Sequence, residues 1–311
     1  MFTENISLCS YVKRNSHRFL EQIVGYWNKH LELLFHFNRR SHGISLLKRS
    51  LTSEEYYENP LFYMLFKAFA YGEYRFVKNY IPQNSHEERL TGHLISELSN
   101  ALTIIEGTFK SRAIDIYRKE IPLEFFYADM SSNRMEKFTG ADFAIIFHVN
   151  LPDYPENIRA IVCQAKKFRK SRDIERGQLE QLISWASEAA YYCFYDMEPS
   201  ERTAPLIMNA ERVKEEVDKK DKGNSIDRST ILEHWDGGIP LSIFLIFELL
   251  DVYGDKGKLF DSIWEAKRFV IGEKEDFPRV AKILLVSIGG MAGKQDLRDL
   301  SSLFPFRRYD G

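Results

Sequence analysis

The stretch RAIVCQAKKFRK, residues 159–170, decides the fold prediction. It opens with the apolar run AIVC, which is typical of a buried β-strand, and then passes into Gln164, Ala165 and Lys166. Alternate residues of a strand share a face, so Gln164 and Lys166 point to one side while Ala165 points to the other. Two polar side chains that leave a buried strand together indicate either a solvated strand end or a reaction centre.

The segments around this strand predict an α/β fold with a central mixed β-sheet flanked by helices. Apolar residues at helical spacing predict one helix that begins at SHEERL (85–90) and another over residues 177–190. Strands are predicted at 121–130, 141–149, 159–168 and 191–197. We expect the first three of these strands to form a meander.

The chain is predicted to have two parts. Residues 1–84 are rich in aromatic residues at helical spacing and form an added N-terminal helical region, and residues 85–311 form the α/β domain with its core at 85–200. The charged segment 211–230 is interpreted as an insertion or linker, either mobile or folded as an exposed helix. Beyond it, IPLSIFLIFELLDVY predicts a buried helix and RVAKILLVSIGG a buried strand that joins the same sheet.

Composition excludes several classes of protein. Of the 311 residues, 44% are apolar and 28% are charged, as in ordinary globular proteins. Three cysteines make neither a disulfide framework nor a zinc site, and the longest apolar stretch is far below the roughly 20 residues of a membrane span. We therefore expect a cytoplasmic protein with no membrane partner. With a formal net charge of −2, nucleic-acid binding would need a local basic patch.

The hairpin between the second and third strands selects the acid that belongs with Gln164 and Lys166. If its turn is centred near Asp153 and Tyr154, antiparallel pairing puts Asp142 beside Lys166. Asp153 would then be a turn residue at the opposite end of the hairpin, about 30 Å away at about 3.3 Å per residue. Asp142 is therefore the predicted site acid.

These residue types suit a magnesium site. Mg²⁺ prefers hard oxygen ligands, and Asp142, the Gln164 side-chain oxygen and the Ala165 carbonyl could supply three of them. Lys166 would then position or help to deprotonate an attacking water, or stabilise charge on a phosphate.

The run TGADF…VCQAKK…GQLEQLISWA…YYCFY resembles the PD-(D/E)XK restriction-endonuclease-like superfamily, in the variant whose second acid is replaced by Gln. The resemblance covers roughly residues 85–200 and implies a restriction-endonuclease-like core. It implies a metal-dependent nuclease in which Asp142 and Gln164 bind Mg²⁺ or Mn²⁺ and Lys166 is catalytic. The implied substrate is nucleic acid, with DNA expected. Similar proteins often belong to bacterial anti-phage or restriction systems.

An acid from the preceding helix commonly completes such sites, and two residues qualify. Glu88 stands three residues after Ser85, the spacing of a capping box, so it has a structural alternative. Glu87 lies on the apolar helix face, where an unpaired acid is costly, and we favour it while leaving Glu88 open. Gln178 matches the Gln that the superfamily carries on the helix after the third strand, where it would contact a phosphate or orient water.

A basic run just beyond the site provides candidate phosphate contacts. Its members, with Lys166 itself, are Lys167, Arg169, Lys170 and Arg172. Such a run is usually a solvated surface, but beside a phosphodiester-cutting centre it would attract the nucleic-acid backbone. The cationic residues Lys110, Arg112, Arg118 and Lys119 are candidates to extend the same patch.

The Gln164 variant leaves two alternatives open. Replacing an acid by Gln removes one negative charge and weakens a magnesium site, so the domain could be a catalytically degenerate nucleic-acid-binding or protein-assembly module. The N-terminal helices could also dock a partner protein or a second copy of the chain, with the nuclease silent until assembly.

Three other features are interpreted as structural. The segment SIGGMAGKQ (287–295) has the wrong glycine spacing for a phosphate-binding loop and predicts a tight turn after a strand. Glu265 and Lys267 lie in a helical pattern, in which residues two apart do not face each other. His36 and His148 are surrounded by apolar residues and are expected to be structural.

Overall fold

The computed structural model describes residues 51, 53–129, 140–199, 203–219, 223–233, 238–271, 280–290 and 307–308. The helical prediction for residues 11–50 lies outside this part of the chain. The helices are α1 (Pro60–Asn79), α2 (Glu87–Tyr117), α3 (Arg176–Ala186), α4 (Ala210–Asp218), α5 (Arg228–Glu233), α6 (Leu241–Ile243) and α7 (Ile263–Ile271). A π-helical turn, Phe244–Leu249, continues α6.

The strands are β1 (Leu123–Asp129), β2 (Phe143–Leu151), β3 (Tyr154–Phe168), β4 (Ser171–Asp173), β5 (Ala190–Asp196), β6 (Leu206–Asn209), β7 (Ser225–Asp227), β8 (Ile239–Pro240), β9 (Lys258–Leu259), β10 (Lys282–Ile288) and β11 (Arg307–Arg308). In the described residues the main sheet has nine strands in the order β11-β1-β10-β2-β3-β5-β6-β8, with β9 also paired to β3. The pairs β10–β2 and β3–β5 are parallel and the others are antiparallel. The predicted α/β fold with a mixed central sheet and flanking helices is confirmed.

The predicted three-strand meander is wrong, because β10 lies between β1 and β2. It pairs antiparallel with β1 and parallel with β2. The sequence of β10, KILLVSI, is apolar over most of its length, and every residue in it is buried. Such a continuously apolar strand is typical of a sheet interior covered on both faces, so β10 takes a central place although it comes late in the chain.

Two apolar layers cover the sheet, and the alternation of β2 shows how they divide. Phe143 and Ile145 pack with α1, α2 and the turn after α6, whereas Ala144 and Ile146 pack with α3, α4 and α7. α1 comes from the segment assigned to the N-terminal region, yet its Phe66 and Phe69 are fully buried in the same core as the sheet. Helix α1 is therefore part of the layer that supports β2 and β3.

In the described residues, the charged segment after residue 210 contains a helix and a strand. Helix α4 buries Val213 and Val217 in the α3-side layer, while Glu211, Glu215 and Asp218 are exposed. β7 then pairs antiparallel with β4, just beyond the end of β3. A helix is thus present over residues 210–218, but it packs on the sheet rather than standing fully exposed, because two valines four residues apart give it one apolar stripe.

The segment from Ile239 to Tyr253 is only partly the buried helix that its apolar sequence predicts. It begins as β8, which pairs with β6, and continues as α6 and the π-helical turn, whose Phe244, Leu245 and Leu249 are buried. Pro240 fits the edge position, since proline cannot donate to a sheet ladder. None of the helices in the described ranges is long and apolar enough to cross a lipid bilayer.

Candidate active site

The start of β2 and the end of β3 lie side by side at one end of the central strands of the sheet. Phe143 pairs with Cys163, and the Asp142 N–H donates to the Cys163 carbonyl at 2.8 Å. This register puts Asp142 opposite Gln164, so the predicted pairing of Asp142 with Lys166 is wrong by two residues. The hairpin turn lies between Leu151 and Tyr154, and a shift in register beside Leu151 changes the pairing further along.

The Asp142 carboxylate occupies the position next to β3 just before β2 begins. Its Oδ2 atom accepts hydrogen bonds from the Gln164 side-chain amide at 2.6 Å and from the Ala165 N–H at 2.6 Å. Only 3% of Asp142 and 3% of Gln164 are exposed. The backbone N–H of Ala165 therefore points toward Asp142. In an antiparallel ladder the carbonyl of a residue points to the same side as its N–H, so the Ala165 carbonyl is also on the Asp142 side.

Of the two polar atoms in the Gln164 side chain, only the nitrogen has a hydrogen-bond partner in the described residues. Its Nε2 atom donates to Asp142, but its Oε1 atom is buried with no hydrogen-bond partner among the described residues. A buried acceptor without a donor costs about 1–3 kcal/mol, and such an atom in a folded protein calls for an explanation such as a bound water or ion. Gln164 Oε1 is therefore an available oxygen ligand beside a carboxylate.

Lys166 joins the strand end to two helices. Its Nζ atom donates to Gln178 Oε1 at 3.3 Å and lies 3.9 Å from Glu87 Oε2. The residue is 8% exposed, so the ammonium is held among fixed partners rather than in bulk water. Gln178 comes from the first turn of α3 and Glu87 from the first residue of α2. Residues that are predicted from three separate segments therefore meet at Lys166.

Of the two helix acids, Glu87 is the one at the site. Its Oε1 atom accepts from the Lys167 N–H at 2.9 Å and pairs with Arg172 at 3.1 Å. Glu88 is solvent-exposed, and the capping box predicted for it with Ser85 does not form. The physical reason is that α2 begins one residue later than a Ser85 cap requires, with His86 at the N-cap position.

Gly140 sets the approach of the Asp142 loop to α3, which sequence reasoning missed. Its φ is +67°, in the left-handed region that favours glycine, and a Cβ atom here would come within 2.5 Å of the Gln178 carbonyl oxygen. The TGAD sequence contains the signal, a glycine two residues before the site acid. Gly140 thus allows Asp142 and Gln178 to belong to one site.

Tyr192 is a second polar residue that sequence reasoning missed. It lies in β5 directly in register with Gln164, it is fully buried, and its hydroxyl has no hydrogen-bond partner within the described part of the chain. Burial raises the pKa of Tyr192, and the negative charges of Asp142 and Glu175 raise it further. The phenol therefore lies within electrostatic reach of the site.

Two residues of the basic run contact other parts of the protein, and two others are exposed to solvent. Lys167 donates from Nζ to the Ser85 carbonyl at 3.0 Å and Arg172 pairs with Glu87, so both fasten the end of β3 to the start of α2. Arg169 and Lys170 are exposed in the turn between β3 and β4. They are the two cations of the predicted run that face solvent beside the site.

The predicted extension of this patch along α2 is wrong. Lys110 pairs with Glu106 at 2.7 Å, and Arg112 pairs with Glu54. At about 1.5 Å per residue, Lys110 is roughly 35 Å along the helix from Glu87. Arg118 and Lys119 follow at the far end of the same helix.

The opposite end of the hairpin holds a closed polar network. His148 contacts Ser287 Oγ at 2.9 Å through Nδ1 and Glu156 Oε1 at 3.0 Å through Nε2. Asp153 accepts from the Tyr117 hydroxyl in the same region, as expected of a turn residue. The structural role of His148 stays a prediction, and the complete burial of Ser287 denies a substrate access to this Ser–His–Glu chain.

The remaining structural interpretations have definite outcomes. Glu265 and Lys267 lie in helix α7, as predicted. Gly289 and Gly290 both have positive φ directly after β10, as is typical of a turn, while residues 291–295 and His36 lie outside the described residues.

Across the described residues, no three His, Cys, Asp or Glu side chains gather in a group that could hold a metal ion. A cation at this site would thus depend on the amide oxygen of Gln164 and the Ala165 carbonyl as well as on carboxylates. The donors are all hard oxygens, which suits Mg²⁺ or Mn²⁺ rather than a softer metal.

Comparison of the chain with protein-family models, curated proteins and solved structures found no match. The resemblance to the PD-(D/E)XK superfamily therefore stays a prediction, carried by the residues of this chain.

Proposed function

We propose that the chain is a metal-dependent nuclease that hydrolyses phosphodiester bonds in nucleic acid, with DNA as the expected substrate. The observation that carries the proposal is the buried, unpartnered Gln164 Oε1 atom beside the Asp142 carboxylate. Lys166, Gln178 and Glu87 meet at the end of the same strand. A buried acceptor without a donor calls for a bound water or ion, and a cation beside Asp142 would satisfy this oxygen.

Asp142, Gln164 and the Ala165 carbonyl would hold Mg²⁺ or Mn²⁺, with Glu87 as the acid from the helix. When bound, the cation would polarise a phosphoryl oxygen and offset the negative charge that develops on it. The sequence supplies two acids and an amide where three acids would bind more strongly, so we expect a weak site that fills at millimolar Mg²⁺.

Lys166 would act directly on the reacting group. Its Nζ atom is fixed by Gln178 Oε1 at 3.3 Å and by Glu87 Oε2 at 3.9 Å, and an ammonium has three N–H groups. The remaining donor capacity can bind a non-bridging phosphate oxygen or orient the attacking water. Gln178 would fix the direction of the ammonium through its side-chain oxygen.

Arg169 and Lys170 would supply the attraction to the phosphate backbone. Both are exposed beside the site, whereas Lys167 and Arg172 contact α2. Since the whole chain has a formal charge of −2, such attraction has to be local. Binding through two exposed cations predicts weak, strongly salt-dependent contact that does not depend on base sequence.

A specific observation favours a binding module as the second candidate function. Glu87 Oε1 is already engaged by the Lys167 N–H and by Arg172, so this acid is not held open for a cation. If those contacts persist, Glu87 would not bind a cation, and the domain would bind nucleic acid without cutting it.

The test is to incubate the full chain with plasmid, linear duplex, single-stranded DNA and RNA, each with Mg²⁺, Mn²⁺ or EDTA. Asp142→Ala and Lys166→Ala are the active-site variants, and Asp153→Ala is the matched control, an acid at the far end of the same hairpin. Metal-dependent cutting that is lost in the first two variants and kept in the third is the expected result.

Two outcomes would contradict the nuclease proposal. Cutting that survives in both active-site variants would place the activity elsewhere. Absence of cutting by the wild-type chain, with nucleic acid retained in a gel-shift assay and released by Arg169→Ala/Lys170→Ala, would favour the binding module.

A further inference from the structure

We propose that Tyr192 is a further residue of the cation site, with its hydroxyl positioning the hydrated ion opposite Gln164. This inference rests on the proposed function and deepens it, because it adds a neutral group from β5 to a site assembled from β2, β3 and two helices. Tyr192 would act through the hydration shell of the ion and is therefore a positioning residue.

The register of the sheet places the two residues that carry the unpartnered oxygens side by side. β3 and β5 are parallel, and Gln164 and Tyr192 are direct partners in that pairing. Neighbouring strands are about 4.8 Å apart, and residues in register present their side chains to the same face. Both residues follow the alternation of Val162 and Ala190, which pack in the layer on the α3 side. Gln164 Oε1 and the Tyr192 hydroxyl thus belong to one face at one end of the sheet.

Each of these oxygens is buried without a hydrogen-bond partner in the described ranges. A buried Tyr hydroxyl normally has a partner, and one such atom could be a packing accident. Two on adjacent, in-register residues beside a buried carboxylate indicate a shared occupant. An ion with bound waters satisfies both kinds of group, because it accepts the amide oxygen as a ligand and offers water to the hydroxyl.

The electrostatics agree with this placement. Burial raises the pKa of Tyr192, and the negative charges of Asp142 and Glu175 raise it further, so both carboxylates act on the phenol. Glu175 is the residue before α3, and Gln178, which contacts Lys166, follows in the first turn of that helix.

The other two tyrosines of β5 show what a satisfied hydroxyl looks like on this strand. Tyr195 OH lies 3.0 Å from Thr91 Oγ1, and Tyr191 OH accepts from the Gly257 N–H at 3.3 Å. Both belong to the layer on the α1 and α2 side, away from Gln164. Tyr195 is accordingly a matched control, as a buried tyrosine on the same strand that faces the other way.

The experiment compares the wild-type chain with Tyr192→Phe, Tyr195→Phe and Asp142→Asn. Mn²⁺ affinity is measured by isothermal titration and by the loss of the free-ion signal in electron paramagnetic resonance, and melting temperature is measured in EDTA and in Mn²⁺. Tyr192→Phe should bind Mn²⁺ about 10-fold more weakly, as is usual when a group outside the direct ligands is removed. Its melting temperature in EDTA should be equal to or above wild type, since a buried unpaired hydroxyl is gone.

Tyr195→Phe should show the reverse pattern, with unchanged Mn²⁺ affinity and a lower melting temperature, because it loses a hydrogen bond. Mn²⁺ affinity of Tyr192→Phe within twofold of wild type would overturn the inference while leaving the proposed nuclease intact. So would a fall in the melting temperature of Tyr192→Phe in EDTA, since the hydroxyl would then have a protein partner. If neither the wild-type chain nor any variant binds Mn²⁺ and none cuts, the proposed function fails together with the inference.

Discussion

Glu73 and Asp142 are both buried carboxylates, one on each side of the sheet, and their surroundings differ. Glu73, on α1, is 1% exposed, and each of its oxygens accepts from Ser242: Oε1 from the N–H at 2.7 Å and Oε2 from the hydroxyl at 2.6 Å. Asp142 accepts two hydrogen bonds at Oδ2, yet its partner Gln164 keeps an oxygen with no donor among the described residues.

The difference shows how a structural acid can be told from a candidate functional one. Glu73 caps the start of α6 from a neighbouring helix, and one residue satisfies both of its oxygens. Around Asp142, the polar groups satisfy one another only in part, and a lysine and a second acid lie at the same strand end. Burial is common to both sites, so it is the unpartnered Gln164 Oε1 atom that distinguishes the site around Asp142.

The largest expected effect is on the pH dependence of stability, and it comes from Glu73. Burial raises the pKa of Glu73 from 4.5 to about 8, so between these values the folded chain binds a proton that the unfolded chain releases. The free energy of unfolding should therefore fall as pH rises through this window, by about 3 kcal/mol between pH 5 and pH 8, and level off above it. Urea denaturation across this pH range measures the effect.

Glu73→Gln is the control for this prediction. The amide keeps an acceptor for the Ser242 N–H and places its NH₂ group against the hydroxyl, but it does not titrate. The pH slope between 5 and 8 should therefore largely disappear in the variant. A slope that is the same in both proteins would show that another group is responsible, and Glu73 would not be the closed, protonated acid described above.

Much of this comparison was open to prediction from the sequence. The QAK pattern after an apolar strand predicts Gln164 and Lys166, and the hairpin predicts Asp142, whereas Glu87 and Gln178 were added by the resemblance to the superfamily. The structure brings these five residues to one end of the sheet. Local periodicity places each of them at the end of a regular element, but it does not by itself select the two helix residues.

The strand order and the register of the site residues could not be predicted from the sequence, because both depend on pairing between distant segments. The insertion of β10 between β1 and β2 depends on a strand more than 130 residues away from β2, and the register of Asp142 depends on a turn and a shift at the far end of the hairpin. The pairing of Gln164 with Tyr192 is equally non-local. Hydrophobic pattern fixes which face a residue occupies, but not which strand lies beside it.

A smaller effect is expected from the loop that holds Asp142. Gly140→Ala places a methyl group within 2.5 Å of the Gln178 carbonyl and forces a non-glycine residue to φ +67°. We expect a loss of about 1–3 kcal/mol in the free energy of unfolding, together with reduced cleavage, because the contact between the loop and α3 must open. Gly107→Ala, in α2 with open space around its Cβ, is the matched control and should be neutral or stabilising by up to about 1 kcal/mol. Equal effects of the two substitutions would contradict a special role for Gly140.

The last prediction tests the pair formed by Asp142 and Gln164. Gln164→Glu puts a second acid beside Asp142 and removes the amide that donates to Oδ2. Without metal the two carboxylates repel, so the variant should unfold more easily than wild type in EDTA, by about 1–2 kcal/mol at neutral pH. With Mn²⁺ the same charge becomes a ligand, and the affinity should rise by about 10-fold, which is 1.4 kcal/mol.

Isothermal titration measures the Mn²⁺ affinity of the variant, and melting with and without Mn²⁺ measures its stability. Glu73→Gln serves as the reference because it alters a buried acid whose two oxygens are both bonded to Ser242. A variant that is destabilised in EDTA and gains nothing from Mn²⁺ would mean that Gln164 Oε1 does not face a cation. The contrast between the two carboxylates would then be a difference in packing only. A variant that gains Mn²⁺ affinity and loses stability in EDTA would instead identify a cation site in which Gln164 stands where a further negative charge would bind the metal more strongly.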